Sequence, residues 1–428
     1  MEKHYDPLLK DTLFTERLEN GLTVAVLQKP GFKQVTGRVA VHYGSIDSKF
    51  VDPQTGQTVH VPDGIAHFLE HKLFEEEWGN VSDRFSELGA DVNAYTTYTH
   101  TVYHFTSTQN VEECFDLLLD FVQSPYFTEE SVAKEQGIIE QEIRMYLDDA
   151  GWRSSANLME ALFVEHPVRI DIAGTVESIH KIDKDLLYLC HRIFYHPSNM
   201  VVFVAGDVDP AQVVESVRAS FGKRAYSAQA EIQRIMPNEP NTVAEKRRMQ
   251  ALLVSQPIFR IGFKETESGD SGQSLLRRDM LTAMILDAIA GKGSDLYTHL
   301  YEAGLIDQRF GFEYTPELSF GYSYFSGPTR DPGELEARLL AGIAEARAAG
   351  LNADEFERAR KKLIGRVINI MNDLDAAAYV FIDGHFKGIS LFDLVPMAKA
   401  LTLDEANVRL HAHFDPERAA VSIIYPKN

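Results

Sequence analysis

The sequence predicts an α+β chain of two homologous α/β-sandwich-type domains, each a mostly antiparallel sheet with helices packed on one face. Three observations lead there. At 428 residues the chain exceeds what one ordinary core supports. Strand-like and helix-like runs are interspersed from end to end. Segments of the first half also recur in order in the second: GNVSDRFSELGA (79–90) is echoed by GKGSDLYTHLYEAGL (291–305), and FYHPSNMVVFVAGD (194–207) by HFDPERAAVSIIYP (413–426). Each match is weak alone and open to coincidence among cap and strand patterns, but collinear matches at an offset of about 215 residues argue for duplication of one unit.

The elements follow in order. LTVAVLQK and VTGRVAVHYGS read as strands around a turn at Pro30–Gly31. Helical periodicity then runs through HFLEH. After the Gly89–Ala90 break, DVNAYTTYTHTVYHFTST is β-branched, aromatic and alternating, which predicts two adjacent strands. Helices follow over 111–123 and 129–146, and MVVFVAGDV closes the first half as a buried strand. Residues 226–244 hold two prolines and few large apolar side chains, the composition of a linker. The expected domains are therefore 1–225 and 245–428, joined by 226–244.

Composition excludes several function classes. A net charge of −21 disfavours a nucleic-acid partner, which needs clustered Lys and Arg. The densest basic stretch, Arg358 to Lys362, reads as a solvated helix face. No apolar run approaches the ~18 residues that span a bilayer, and MEKHYDPLLKD lacks a signal-peptide core, so no membrane association is expected. Two cysteines, Cys114 and Cys190, are too few for a disulfide framework and point to a reducing, cytoplasmic setting. Cys190 adjoins His191, but neighbouring helical residues point about 100° apart, so a buried inert thiol is the simpler reading.

The chemistry concentrates in HFLEH. On a helix, His67 and His71 stack on one face and can offer two imidazoles to one ion, with Glu70 at the edge of that face. Zn²⁺ takes such ligands, and a catalytic site uses three from the protein with a fourth position open. The metal lowers a water's pKa and a nearby glutamate takes its proton. Two histidines on a solvated helix would look the same, so a third ligand decides.

In TEESVAKEQGIIEQEIRMY, Val132, Ile139, Ile143 and Tyr146 share a stripe from which Glu135 and Glu142 project, while Glu140 falls off it. Buried acids need a cation or strong donors. Glu142 is the expected ligand and Glu135 the group that orients a histidine; an interdomain salt bridge from each glutamate is the competing reading.

HFLEH followed some seventy residues later by KEQGIIEQEI resembles the inverted zinc peptidases of the pitrilysin and mitochondrial-processing-peptidase group, whose signature is His-x-x-Glu-His with a distal Glu. The resemblance covers essentially the whole chain. It implies that His67, His71 and Glu142 bind zinc, that Glu70 is the base, and that Glu135 matches an acid recurring seven residues before the distal ligand. It further implies that Asn93, Ala94 and Tyr95, followed by Thr96, form an edge strand that takes up peptide by strand addition. The second domain would carry no metal site.

One departure stands out. Relatives place an Arg and then a Tyr in the second domain, where they grip substrate. In THLYEAGLIDQRFGFEY, Tyr301 occupies the Arg position and no tyrosine follows at the usual spacing. Chains of this half-size pair around a chamber, so a dimer is expected, with a related half-size subunit able to supply the missing pair, or with a second copy.

Other motifs carry less. Gly269-Asp270-Ser271-Gly272 lies in a polar stretch opening a helix, where Ser271 or Ser274 serves as N-cap rather than as a nucleophile. GKGSD at 291–295 lacks phosphate-loop spacing. His100 and His104 fall on an alternating strand pattern, too far apart to share an ion easily.

The leading expectation is a zinc endopeptidase cleaving small or unfolded peptides inside a two-subunit chamber. The alternative is a peptide-binding or assembly subunit that acts with a related partner in protein processing or modification.

Overall fold

The computed structural model describes residues 1–427. Two compact units emerge, and they interleave along the chain: Met1–Ile143, Asp171–Met236 and Ile370–Asp383 form the first, while Arg144–Ile170, Pro237–Asn369 and the chain from Gly384 onward form the second.

The first unit is built on a seven-stranded sheet in the order Glu2–Asp6, Asp11–Arg17, Thr23–Gln28, Met200–Gly206, Val35–Val41, Thr101–Ser107, Asp91–Thr96. Its neighbours run antiparallel except Met200–Gly206 against Thr23–Gln28, which are parallel. The second unit holds five strands in the order Arg247–Leu252, Ala419–Pro426, Ile258–Lys264, Gly321–Pro328, Gly311–Pro316, again with one parallel pair, Arg247–Leu252 beside Ala419–Pro426. Five strands of the first sheet thus recur in the second with the parallel pair in the same place. The sequence echoes fall at matching points: helix Val81–Leu88 and helix Asp295–Glu302 each precede an edge strand, and a 3₁₀ turn at Pro197–Asn199 or Pro416–Arg418 leads into the strand that pairs in parallel.

The central strands are near-continuous apolar runs because both their faces are covered. Every residue of Val35–Val41 and of Met200–Gly206 is buried. On one face Val24, Val39, Val202 and Phe105 pack with Phe115, Leu118 and Leu119 of helix Val111–Gln123 and with Leu187 of helix Lys184–Phe194. The other face receives a helix from the far half of the sequence, Leu374–Lys387. Phe381 stacks on Phe203 with ring centroids 4.6 Å apart, Arg38 donates to Asp375 at 2.7 Å, and just before that helix the Met371 carbonyl accepts from Lys29 Nζ at 2.5 Å. The exchange is reciprocal. Helix Ala150–Leu162, from the first half, belongs to the second unit, where Asn157 donates to Gln250 at 2.9 Å and the methyls of Leu158 and Leu162 lie over Gly262.

Two strands were not expected. Asp11–Arg17 pairs with Thr23–Gln28 and buries Leu13, and Glu2–Asp6 pairs beyond it as a largely exposed edge. The stretch 226–244 contributes a two-residue strand, Gln233–Arg234, beside Phe50 and Val51. Among the described residues no helix is long and apolar enough to cross a membrane.

The HFLEH segment forms helix Ile65–Lys72, and its entry point is fixed by backbone contact. Gly64 caps it with φ +91°, a left-handed conformation that costs a side-chain-bearing residue about 1–2 kcal/mol. A Cβ there would also lie 2.4 Å from the Ala173 carbonyl oxygen. Gly64→Ala is therefore expected to destabilise the chain by roughly 2–4 kcal/mol in total, read as a fall in Tm. Gly56→Ala, at φ +69° with open space around it, is the control and should cost only the conformational part.

Candidate metal centre

Helix Ile65–Lys72 buries Ile65, Ala66, Phe68 and Leu69 and turns His67 and His71 outward on one face, their ring centroids 4.6 Å apart. Helix Glu129–Asp148 buries Val132, Glu135, Ile139 and Ile143, the stripe expected from the sequence. Its Glu142 reaches both rings: one carboxylate oxygen is 3.7 Å from His67 Nε2 and the other 3.6 Å from His71 Nε2. Glu140 points elsewhere, 3.1 Å from His180. Among the described residues, His67, His71 and Glu142 are the one His/Cys/Asp/Glu group whose ligand atoms all lie within 4.8 Å of one another. His100 and His104 take no part in it, and the described residues of the second unit show no such group.

The donor set fits a metal ion. Bonds of about 2.0–2.2 Å in a tetrahedral zinc site separate neighbouring ligand atoms by about 3.3–3.6 Å, close to the spacing seen here. Glu135, buried, lies 3.0 Å from His71 Nδ1. A carboxylate there accepts the Nδ1 proton, so the Nε2 lone pair faces Glu142 and the ring is held in the metal-binding tautomer. Burial, and then the neighbouring His71, push the pKa of His67 down to about 3, which keeps that ring neutral as a ligand must be. Burial opposes protonation of His71 too, but Glu135, Glu70 and Glu142 outweigh it and raise its pKa. A cation in this pocket would oppose that charging. His67 Nδ1 is buried with no hydrogen-bond partner among the described residues.

Glu70 is buried beside the histidines, and burial raises its pKa, with the Thr96 hydrogen bond and His71 pulling the other way. Thr96 Oγ1 donates to Glu70 Oε2 at 2.5 Å. This contact was invisible at the level of motif spacing, although alternation along DVNAYT already places Thr96 on the same face as Val92 and Ala94, both packed against the helix-side core. Lys72 was also missed. It is fully buried, pairs with Glu75 and lies 3.5 Å from the Ser131 carbonyl, while Lys134 reaches Glu75 at 3.3 Å. The helices that carry His71 and Glu142 are thereby tied together by polar contacts.

Asp91–Thr96 is the outermost strand on its side of the sheet and pairs only with Thr101–Ser107. Asn93 is exposed, and its side-chain oxygen accepts from the Ala94 backbone N–H at 2.8 Å. Ala94 faces the helix side. Tyr95 faces away, its ring 6.2 Å from that of Tyr379. Cys114 and Cys190 are free and buried, and burial pushes their thiols up to about 11 and about 12, which leaves them unreactive.

Residues 23–176 match the family described as insulinase, peptidase family M16, and residues 181–363 match the peptidase M16 inactive domain. A protein of Bacillus subtilis (strain 168) described as an uncharacterized zinc protease, YmfH, is 43% identical over 420 residues, 98% of each chain. A zinc protease of Mycobacterium leprae is 32% identical over 373 residues, 83% of this chain and 78% of the relative. Among solved structures, an M16-like peptidase from Alicyclobacillus acidocaldarius has a TM-score of 0.94 at 38% identity, covering 97% of this chain and 99% of that one. The periplasmic protease PqqL from Escherichia coli shares the fold, with a TM-score of 0.74 at 19% identity over 97% of this chain and 48% of its own. These matches, over most of a chain whose fold is duplicated, show that it belongs to the insulinase family, peptidase family M16.

Proposed function

We propose that the chain is a zinc-dependent endopeptidase acting on small or unfolded peptides. The observation that carries this reading is the convergence of His67, His71 and Glu142 from two helices, within 4.8 Å of one another. A zinc ion held there supplies Lewis acidity and lowers the pKa of a water toward neutrality. Glu70, one residue from a ligand and buried beside it, takes the proton of the attacking water and returns it to the departing amine. Glu135 holds the His71 ring through Nδ1 and so fixes the direction of its lone pair.

An extended peptide adds to the open edge of Asp91–Thr96 through main-chain hydrogen bonds, which read any sequence and leave preference to side-chain pockets. Asn93 and Ala94 offer that backbone, while Tyr95 acts through the strand, since its side chain turns to the opposite face from Glu70. The chain spans about half the length of the PqqL protease, which supports pairing with a second half-size subunit around a closed chamber. Two free, buried cysteines are compatible with a cytoplasmic setting.

Tyr301, exposed at the position where the family resemblance leads one to expect an Arg, favours a second reading: a peptide-binding or assembly subunit that needs a related partner. Cleavage of a mixed peptide library, read by mass spectrometry with and without such a partner, separates the two. EDTA-sensitive cleavage supports the enzyme, and none under any pairing supports the binding role.

Glu70→Gln is expected to lower turnover by about two orders of magnitude or more while zinc stays near the wild-type content by elemental analysis. Equal loss of metal would make Glu70 structural instead. Glu135→Ala is expected to weaken zinc binding by about 10- to 100-fold in a chelator competition, because His71 loses the group that orients it.

A further inference from the structure

We propose that Thr96 is a positioning residue for Glu70, and that it mechanically joins the general base to the strand along which a peptide would lie. A glutamate carboxylate rotates broadly about its last side-chain bond, so burial alone does not aim it. Here one oxygen, Oε2, is fixed by the Thr96 hydroxyl at 2.5 Å. The described residues offer Oε1 no hydrogen bond, and this oxygen is left to meet the water proton.

Thr96 is itself held from behind. It ends strand Asp91–Thr96 directly opposite Thr101, its backbone partner on the neighbouring strand. Thr101 Oγ1 donates to the Tyr43 carbonyl at 2.9 Å, and Tyr43 is fully buried. The turn beyond is closed by Thr97 N donating to the His100 carbonyl at 2.8 Å. The hydroxyl that aims the base therefore sits on a strand end locked to the core of the sheet. The strand that would pair with a peptide and the Glu70 carboxylate are thus joined through one hydrogen bond.

This inference rests on the endopeptidase reading, and its test separates the two. Thr96→Val keeps the branched shape and removes the hydroxyl. Zinc content and KM should stay at wild-type values while kcat falls roughly ten- to a hundredfold, the effect of a misaimed reacting group. Thr96→Ser should recover most of the loss. In a Glu70→Gln background, Thr96→Val should add nothing further, since it acts only through that carboxylate. Wild-type kcat in Thr96→Val overturns the assignment, as does a loss of zinc large enough to explain the defect. If the wild-type chain cleaves no peptide under any pairing, the peptidase reading fails on its own. Thr96 is then judged from a crystal structure of zinc-loaded Thr96→Val, where an unmoved Glu70 carboxylate overturns its role.

Discussion

The site depends on keeping two helices at a fixed separation while both present polar groups to the same small volume. His67 and His71 come from one helix and Glu142 from the other, and none of the three is adjacent to its partner in sequence. Phe68, Leu69, Ile139 and Ile143 all belong to one apolar core, which sets the approach but leaves sliding along the helix axes weakly resisted. Directional contacts oppose that sliding. The Glu135 bond to His71 and the Lys72–Glu75–Lys134 chain both cross between the helices. Lys72 is the costly member, since burying an ammonium demands full pairing, and Glu75 with the Ser131 carbonyl supplies it.

The exchange of helices gives the duplicated fold a second constraint. Each sheet would expose a face if it carried only the helices of its own half, and on that face the central strands bury Thr36, Arg38 and Ala40 in one unit and Gly262 and Lys264 in the other. Leu374–Lys387 covers one and Ala150–Leu162 the other. The connection from the glutamate helix to Ala150–Leu162 is short, because Glu129–Asp148 ends where the borrowed helix begins. The helix that bears Glu142 is thus continuous with the segment that completes the other unit.

Much of the site was legible because its chemistry is local. Four-residue spacing puts two histidines on one face, and a seven-residue spacing puts Glu135 and Glu142 on one stripe, so helical geometry alone selects the groups that meet. The duplication was legible for a similar reason, since caps and turns repeat wherever the same backbone turns. What escaped is what periodicity does not encode. Lys72 ends a helix and reads as a solvated charge, yet its burial depends on Glu75 in a following hairpin and a carbonyl from a distant helix. Thr96 meets Glu70 only after the edge strand has folded back beside the motif helix. The strands at 2–17 hid because their exposed, polar residues show little alternation, and the helix exchange hid because each borrowed helix carries an ordinary amphipathic pattern that does not name its target sheet.

The second unit meets the cost of a buried carboxylate in a different way. On the helix-covered side of its sheet lies a buried polar cluster: Glu265 pairs with Arg409, accepts from Tyr314 at 2.9 Å and faces His413 at 3.4 Å, while Ser323 and His413 are 2.7 Å apart. Burial opposes the Glu265 charge, but His413 and Arg409 hold its carboxyl well below the usual range. A buried carboxylate needs a positive charge close by, and here an arginine of the same chain provides it permanently. The first unit instead brings Glu142 and two imidazoles together within 4.8 Å of one another, while its buried Lys72 pairs with Glu75. The second unit closes its buried charge within the chain, whereas the first presents a carboxylate and two imidazoles, a donor set that fits a metal ion.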